Sequence, residues 1–586
     1  MSNKVNPPGR ADMRPGSSDP ETLGSVGPNG YDVELALACE QRETNMSFWE
    51  AVKADKRLIM YTVGFSGTII MEGYGLATIG NILGLYNFNA RFGKPVLDDA
   101  GHPVIDGDYP GQNLPKHIVT PEWQSIFGLL AQIGSLIGIM ITPFITDKLG
   151  YKRTVLVMIG LCAALVTIPF MATNVPVLSV GYLLQGIPWG VFQVVSPTYA
   201  SEVASVQLRP ILTTWNNLCW VIGQFLAAGV IMGFFDNLTD WSYRIPMALS
   251  WIFTFVLFII IIFAPESPYW YLKKNRIPDA RKAITKLVRK GSPQFAEEKL
   301  ALMRHTLEQE NKQDDVEPAK GMRKYMGLLS NSVDARRTEI ACVTWVIQAL
   351  CGSSLLGWTV IFLNSTGMSR DLLFKVNLAG PAAGLVGTLA SWWLMQYVGR
   401  RAIYFWGCVA MCLLLVACGF TSLEQAVDKR GMIAGGILAA ITAVYDLTLG
   451  PICYSIVSEI PSVRRRAATV SAARGMYLVF NLSNYFLTPK MVGDPPSGWG
   501  WGPKAGFYHA GWCVLGAIYT YFRIPETNNL SARGMDILFQ SKTSARKFSP
   551  EKANQLEAEM GVASGFRRVS SGESENKATS RVVEKR

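Results

Sequence analysis

Asp147-Lys148-Leu149-Gly150-Tyr151-Lys152-Arg153 is answered later in the chain by Gln396-Tyr397-Val398-Gly399-Arg400-Arg401. Two further stretches return in the same order. Ser201-Glu202-Val203 running to Arg209 reappears as Ser458-Glu459-Ile460 running to Arg466, and Pro265-Glu266-Ser267-Pro268 reappears as Pro525-Glu526-Thr527. The offsets are 249 (399 − 150), 257 (459 − 202) and 260 (525 − 265) in a chain of 586 residues. A nearly constant offset of almost half the chain marks a duplicated module. Each signature closes a long apolar run, so the module reads as a bundle of membrane helices. Two such bundles in one chain point to a carrier built from repeats rather than to an enzyme.

The composition agrees. Hydrophobic residues make up 49% of the chain and charged residues only 17%, where a soluble domain carries about 25% charge. Twelve apolar segments approach the roughly 20 residues that a bilayer crossing needs. They fall near 58–80, 122–145, 154–173, 177–200, 211–235 and 246–264, then 338–363, 372–396, 402–421, 431–457, 470–491 and 505–522. The expected fold is therefore an all-α integral membrane protein of twelve transmembrane helices in two six-helix bundles. Residues 1–50 are polar and Gly/Pro-rich and read as a disordered N-terminus without a cleavable signal. Residues 51–264 form the first bundle, 265–337 a linker with short amphipathic helices, 338–522 the second bundle and 523–586 a polar tail, disordered from about 545 onward.

The net charge of +11 does not make a nucleic-acid surface. Lys273, Lys274, Arg276, Arg281, Lys282, Lys286, Arg289 and Lys290, then Arg323, Lys324, Arg336 and Arg337, all fall in the linker region, as the positive-inside rule expects of cytoplasmic loops. The loop 81–120 carries Asp98, Asp99, Asp106 and Asp108 instead, which puts it outside and both termini in the cytosol. The sequons at Asn237 and Asn364 fall on that outer side, close to the membrane. Most of the ten cysteines lie inside apolar segments without a Cys-x-x-Cys pair, as small fillers between helices. No nucleophile elbow, phosphate loop or metal-spaced His cluster appears, so neither a cofactor nor a metal is expected.

Longer stretches carry a family resemblance: MEGYG (71–75), GIPWGVFQ (186–193), YASEV (199–203), TTWNNLCWVIGQFLAAGV (213–230), YRIP (243–246), PESPYW (265–270), VYDLTLGPICYSIVSEIPS (444–462) and YFRIPET (521–527). Over about residues 50–540 the chain resembles the major facilitator superfamily, sugar-transporter branch, and within it the fungal maltose/α-glucoside permeases. The resemblance implies two six-helix bundles holding a substrate between them at mid-membrane and exposing it to each side in turn. The expected function is secondary transport of a hydroxyl-rich solute by a monomer in a lipid bilayer, in the plasma membrane, with no nucleic-acid partner. Two alternatives stay open: carriage or export of a fungal secondary metabolite on the same fold, and a non-transporting sugar sensor, disfavoured by the short tail.

Sugar binding needs hydrogen-bonding side chains facing a cavity, flanked by aromatic faces. The candidates are Asn216, Asn217 and Gln224 in segment 5, Gln348 in segment 7, Tyr454 in segment 10, and Asn481 and Asn484 in segment 11. By resemblance Gln224, Gln348 and Tyr454 match sugar-touching positions. Asn217 and Asn484 serve equally well as helix–helix hydrogen bonds, worth about 0.6 kcal/mol each. For the repeated signatures, the resemblance implies a charge latch between the bundles formed by Asp147, Lys152, Arg153, Glu202, Arg209, Arg400, Glu459 and Arg466. The alternative is that the basic members only anchor topology.

The chain departs from the proton-coupled pattern of its branch. Gly75 stands where such relatives carry an Asp, Gly134-Ser135 where an acid is usual in segment 2, Tyr182 where many carry an Arg, Ala349 where a second amide stands, and Asn528-Asn529 after Pro-Glu-Thr. Glu72 remains as an intramembrane acid, and a carboxyl in a low-dielectric site can carry a proton near neutrality. The missing charges point to facilitated diffusion or to weak coupling through Glu72 alone, so protons stay an open partner.

Overall fold

The computed structural model describes residues 33–46, 48–98, 101–105, 114–205, 208–287, 293–312, 327–424, 426–462, 465–493, 498–528, 530, 532–556 and 558–559. Asp99, Asp106, Asp108, Arg289, Lys290, Arg323, Lys324 and Asn529, named above, lie outside them.

Two short helices, α1 (Val33–Asn45) and α2 (Phe48–Ala54), precede the first half. That half contains α3 (Lys56–Asn81), a short α4 (Tyr86–Phe92), α5 (Pro121–Leu149), α6 (Tyr151–Met171), α7 (Val175–Val203), α8 (Arg209–Phe234) and α9 (Trp241–Phe263). Three helices follow: α10 (Pro268–Lys273), α11 (Ile277–Leu287) and α12 (Pro293–Lys312). The second half opens with α13 (Ser332–Gln348), broken over Ala349–Ser353 before α14 (Ser354–Gly357) and α15 (Thr359–Ser365). It continues through α16 (Arg370–Tyr397), α17 (Arg400–Phe420), α18 (Val427–Leu447), α19 (Leu449–Glu459), α20 (Arg466–Val492) and α21 (Ala505–Arg523), with α22 (Ala532–Gln540) beyond. Between α4 and α5, β1 (Lys94–Pro95) pairs antiparallel with β2 (His117–Ile118).

Among the described residues nine helices are long and apolar enough to cross a membrane, or ten if α3 and α4, bent by 84°, count as one span. The two expected spans outside that set are α20 and α21. Arg474, Asn481 and Asn484 lower the hydropathy of α20, and His509, Tyr508, Tyr519 and Tyr521 that of α21.

The duplication is visible in the packing. In the first half α3 packs on α8, α5 on α7 and α6 on α9; in the second α13 packs on α20, α16 on α18 and α17 on α21. The α5–α7 contact is backbone against backbone. Gly134 and Gly138 of α5 meet the carbonyls of Leu183 and Ile187, and Gly186 and Gly190 of α7 meet those of Ala131 and Ser135. A Cβ at any of the four would overlap a carbonyl oxygen, so small residues there set how closely the two helices approach.

The signatures close the same end of each half with the same device. Glu266, after α9, accepts hydrogen bonds from the backbone amides of Tyr151 (2.8 Å) and Lys152 (3.0 Å) at the start of α6. Glu526, after α21, accepts one from the Arg400 amide (2.8 Å) at the start of α17. A carboxylate suits the unpaired amides of a helix N-terminus. Gly150 and Gly399 stand where a Cβ would strike these carboxylates, and Gly150 also has φ +84°. Ser267 donates to Glu202 and Thr527 to Glu459, each at 2.5 Å. Lys152 donates to the carbonyl of Ile262, and Arg401 to that of Tyr521, each at 2.6 Å.

Two segments read as disordered are ordered in part. Within 1–50, α1 lies on α12, burying Ala36 and Cys39 and pairing Glu43 with Lys299 at 2.5 Å. Within the stretch from about 545 onward, Phe548 and Ala553 are buried, and just before it Asp536 of α22 pairs with Arg337 at 2.6 Å. Both stretches are too polar to announce their order alone; α1 gains it by docking on α12.

Candidate functional site

Between the halves lies a cavity, partly open to solvent, with an empty volume of about 660 Å³ that includes its open mouth. The first half lines it with Glu72, Leu76, Gln132, Gln193, Asn217 and Trp220. The second contributes Gln348, Ser353, Ser354, Gly357, Trp358, Tyr445, Tyr454, Arg474, Tyr477, Asn481 and Tyr485. Amides and hydroxyls thus alternate with six large aromatic side chains from four helices and the α14–α15 corner.

The wall from the second half exists because α13 breaks. Gly352 takes φ +98°, and the turn frees carbonyls that side chains then satisfy. Ser353 Oγ donates to Gln348 O (3.1 Å), Asn484 Nδ2 to Ala349 O (2.8 Å), and His509 Nδ1 meets Leu350 O (2.9 Å). The break turns Ser353, Ser354 and Trp358 toward the cavity. Gln348, the last residue of α13, donates from Nε2 to Gly450 O at 3.1 Å, which leaves its buried Oε1 without a hydrogen-bond partner among the described residues. That orphan acceptor on a cavity wall suits a ligand hydroxyl.

Four of the seven sugar-binding candidates, Gln348, Tyr454, Asn481 and Asn217, share this cavity. Gln224 lines an adjoining one of about 500 Å³ with Asn81, Asn377 and Thr442; the two meet at Gly357. Asn216 turns into its own bundle, accepting from Ser196 Oγ at 2.7 Å. Asn484 holds the broken backbone. Ala349 is fully buried and does not line the cavity, so the hydroxyls of Ser353 and Ser354 keep that wall polar despite the missing amide.

Glu72 does not stand alone. Gln193 Nε2 donates to Glu72 Oε1 (2.6 Å), Arg474 Nε donates to Gln193 Oε1 (2.7 Å), and Arg474 Nη2 lies 3.9 Å from Glu72 Oε1. The guanidinium also sits over the rings of Tyr477 (4.3 Å) and Trp345 (4.5 Å). Glu72 Oε2 is buried with no hydrogen-bond partner among the described residues. The chain Glu72–Gln193–Arg474 joins α3, α7 and α20 and so bridges the halves. Arg474 was not singled out from the sequence, although a lone Arg inside an apolar segment is itself the signal. The same holds for Asp446, a buried acid in segment 10.

At Gly75, Trp189 fills the space a side chain would need: a Cβ there would overlap its indole ring. In segment 2, Gly134 is taken up by the α7 contact, while Ser135 Oγ returns to Ala131 O at 3.1 Å.

The signature residues lie at one end of the bundles, away from this cavity. Glu202 accepts from Tyr151 Oη (2.8 Å) and lies 4.0 Å from Lys273; Glu459 accepts from Ser455 Oγ (2.9 Å) and lies 3.8 Å from Arg400. These bonds run within a half or to its neighbouring linker helix. Arg209 and Arg466 open α8 and α20, and Asp147 and Arg153 are exposed. Outside the spans, burial raises the Glu266 carboxyl above its ordinary range, against the pull of its backbone amide donors.

Known proteins resemble this chain over nearly its whole length. Residues 60–539 match the family described as "Sugar (and other) transporter". The general alpha-glucoside permease of Saccharomyces cerevisiae is 32% identical over 523 residues, spanning 88% of this chain and 80% of that protein. The maltose permease MAL31 of the same yeast is 29% identical over 556 residues, 94% and 87% of the two chains. Among solved structures, the proton:xylose symporter XylE bound to 6-bromo-6-deoxy-D-glucose superposes with a TM-score of 0.66 at 18% identity, covering 82% of this chain and 99% of that one. A partially occluded, inward-open form of XylE from E. coli gives 0.62 at 17% identity, covering 81% and 99%.

Proposed function

This chain belongs to the sugar (and other) transporter family, and from that premise we propose that it carries an α-glucoside of the maltose type together with a proton. It is a multi-pass membrane transporter of sugars with the major facilitator fold, not an enzyme. The substrate class follows the relatives named as α-glucoside and maltose permeases. The observation that carries the reading is the cavity shared by both halves, with aromatic rings beside a free Gln348 Oε1 and the Asn481 amide. The adjoining space around Gln224, Asn81 and Asn377 continues this polar lining.

The coupling proposal rests on Glu72, Gln193 and Arg474. When Glu72 is ionised, Arg474 and Gln193 are held by it. A proton arriving at the free Oε2 neutralises the carboxylate and loosens its hold on Arg474 and Gln193, both of which line the cavity and can then donate to sugar hydroxyls. Arg474 supplies the countercharge that Glu72 lacks when the sequence is read alone. The protein works in this reading as a monomer in the plasma membrane, with both termini and the signature end facing the cytosol.

The test is uptake of labelled maltose into yeast lacking its own α-glucoside transporters, after surface expression is verified. Uptake abolished by a protonophore supports the reading. Uptake that persists and merely equilibrates removes the proton from it. No uptake by protein at the surface removes the substrate class.

A further inference from the structure

Asp446 is a buried acid for which transport through Glu72 has no use. It sits near the end of α18, two residues before Thr448, whose φ −122° and ψ −83° break the span. Its Oδ1 accepts from Asn217 Nδ2 of α8 at 3.0 Å, and the same Nδ2 lies 3.3 Å from Thr388 Oγ1 of α16. On its other side the carboxyl lies directly against Gly384 of α16, where a Cβ would overlap Oδ2. Asp446 belongs to the second half and Asn217 to the first, so their bond crosses the interface that alternating access must open and close. Asn217 also lines the cavity, which puts Asp446 one amide away from the substrate space.

Among the described residues, the groups facing Asp446 are uncharged. From α8 it meets Asn217 and, at the Gly384 notch, Val221; from α16, Gly384; from α19, Gly450. Tyr445 and Thr442 flank it on its own helix, and from α17 Gly407 packs on the neighbouring Thr448. The charged groups of the cavity, Glu72 and Arg474, are engaged with each other. A carboxylate at this depth with one amide donor and, among the described residues, no counter-ion is a costly species, and the ordinary escape is to take up a proton.

We propose that Asp446 is a second proton-binding carboxyl of the transport cycle, protonated while Asn217 bridges the halves and deprotonated once they part. When α8 moves away from α18, water reaches the carboxyl. The O–H bond breaks, the proton passes to that water as hydronium, and the carboxylate left behind is hydrated. The proposal rests on the alternating-access reading but not on Glu72 as a carrier.

Infrared spectroscopy of the purified protein in liposomes at neutral pH reads it without any sugar. The expected result is a protonated-carboxyl carbonyl band that is missing in Asp446→Asn and displaced in Asn217→Ala, where the acid remains but its amide partner is gone. A spectrum in which neither variant alters an acid band overturns the proposal, and the Asn217→Ala comparison decides alone if Asp446→Asn does not fold. In the same liposomes, Asp446→Asn should keep labelled-maltose counterflow but lose accumulation against a gradient. Accumulation equal to the wild type also overturns the proposal. A wild type that shows no maltose counterflow refutes the substrate reading instead, while the infrared comparison still judges Asp446.

Discussion

Glu266 and Glu526 hold corresponding helix starts, and each does so with a charged acceptor on backbone amides. Hydrogen bonds to a charged group contribute about 1.5–3 kcal/mol. Replacing Glu266 with Gln keeps the shape but removes the charge, so the purified variant should unfold several degrees lower in a thermal melt, as should Glu526→Gln. An unchanged melting temperature in both would remove the device from the account. Arg474 makes a different demand. Its Nε bonds Gln193 while its plane stacks on Tyr477 and Trp345, and a lysine reproduces neither contact. Arg474→Lys should therefore reach the membrane but lose most maltose uptake; uptake at the wild-type rate would show that charge alone suffices there.

Between elements, contacts explain features that residue types alone leave odd. Gly75 lacks a side chain because Trp189 of α7 occupies its space. Gly75→Asp should destabilise the protein by about 1–3 kcal/mol, the usual cost of overpacking, and Trp189→Ala should relieve most of it in the double variant; additive losses in a double-mutant cycle would contradict the contact. The docking of α1 on α12 makes a separate prediction. Lys299 and Glu43 are both buried, and burial opposes the Lys299 charge, yet Glu43 and Asp55 outweigh it and hold the ammonium above its ordinary pKa. Burial likewise pushes the nearby Cys39 thiol up to about 12, so a maleimide should modify it slowly. Lys299→Met strands Glu43 as a buried lone charge, a loss of about 3–5 kcal/mol, and should speed Cys39 labelling markedly. The pair Glu43→Gln/Lys299→Met should restore slow labelling; equal rates in all three proteins would mean that α1 is not held by this pair.

At the scale of the whole molecule the chain is one module written twice, and that much is open to a reader of the sequence. Glycines, acids and prolines at helix ends obey local rules, so their repetition shows without a structure. The cavity is legible only in part. Gln348, Tyr454, Asn481 and Asn217 converge as their residue types suggest, because amides and tyrosines inside apolar segments have few other places to go. Arg474 and Asp446 were passed over because one charge hardly changes the hydropathy of a long segment, and what each does depends on a partner from another helix. The order of α1 was hidden for the reverse reason: its burial belongs to α12, more than two hundred residues away. The central claim is that sugar crosses between the halves with a proton carried by Glu72 against Arg474. The direct measurement is the pH of a lightly buffered suspension of yeast expressing the protein, recorded as maltose is added. The account predicts immediate alkalinisation of the medium with the wild type and none with Glu72→Gln, although that variant still exchanges labelled for unlabelled maltose. Maltose entry by the wild type without alkalinisation, or equal alkalinisation with Glu72→Gln, would contradict it.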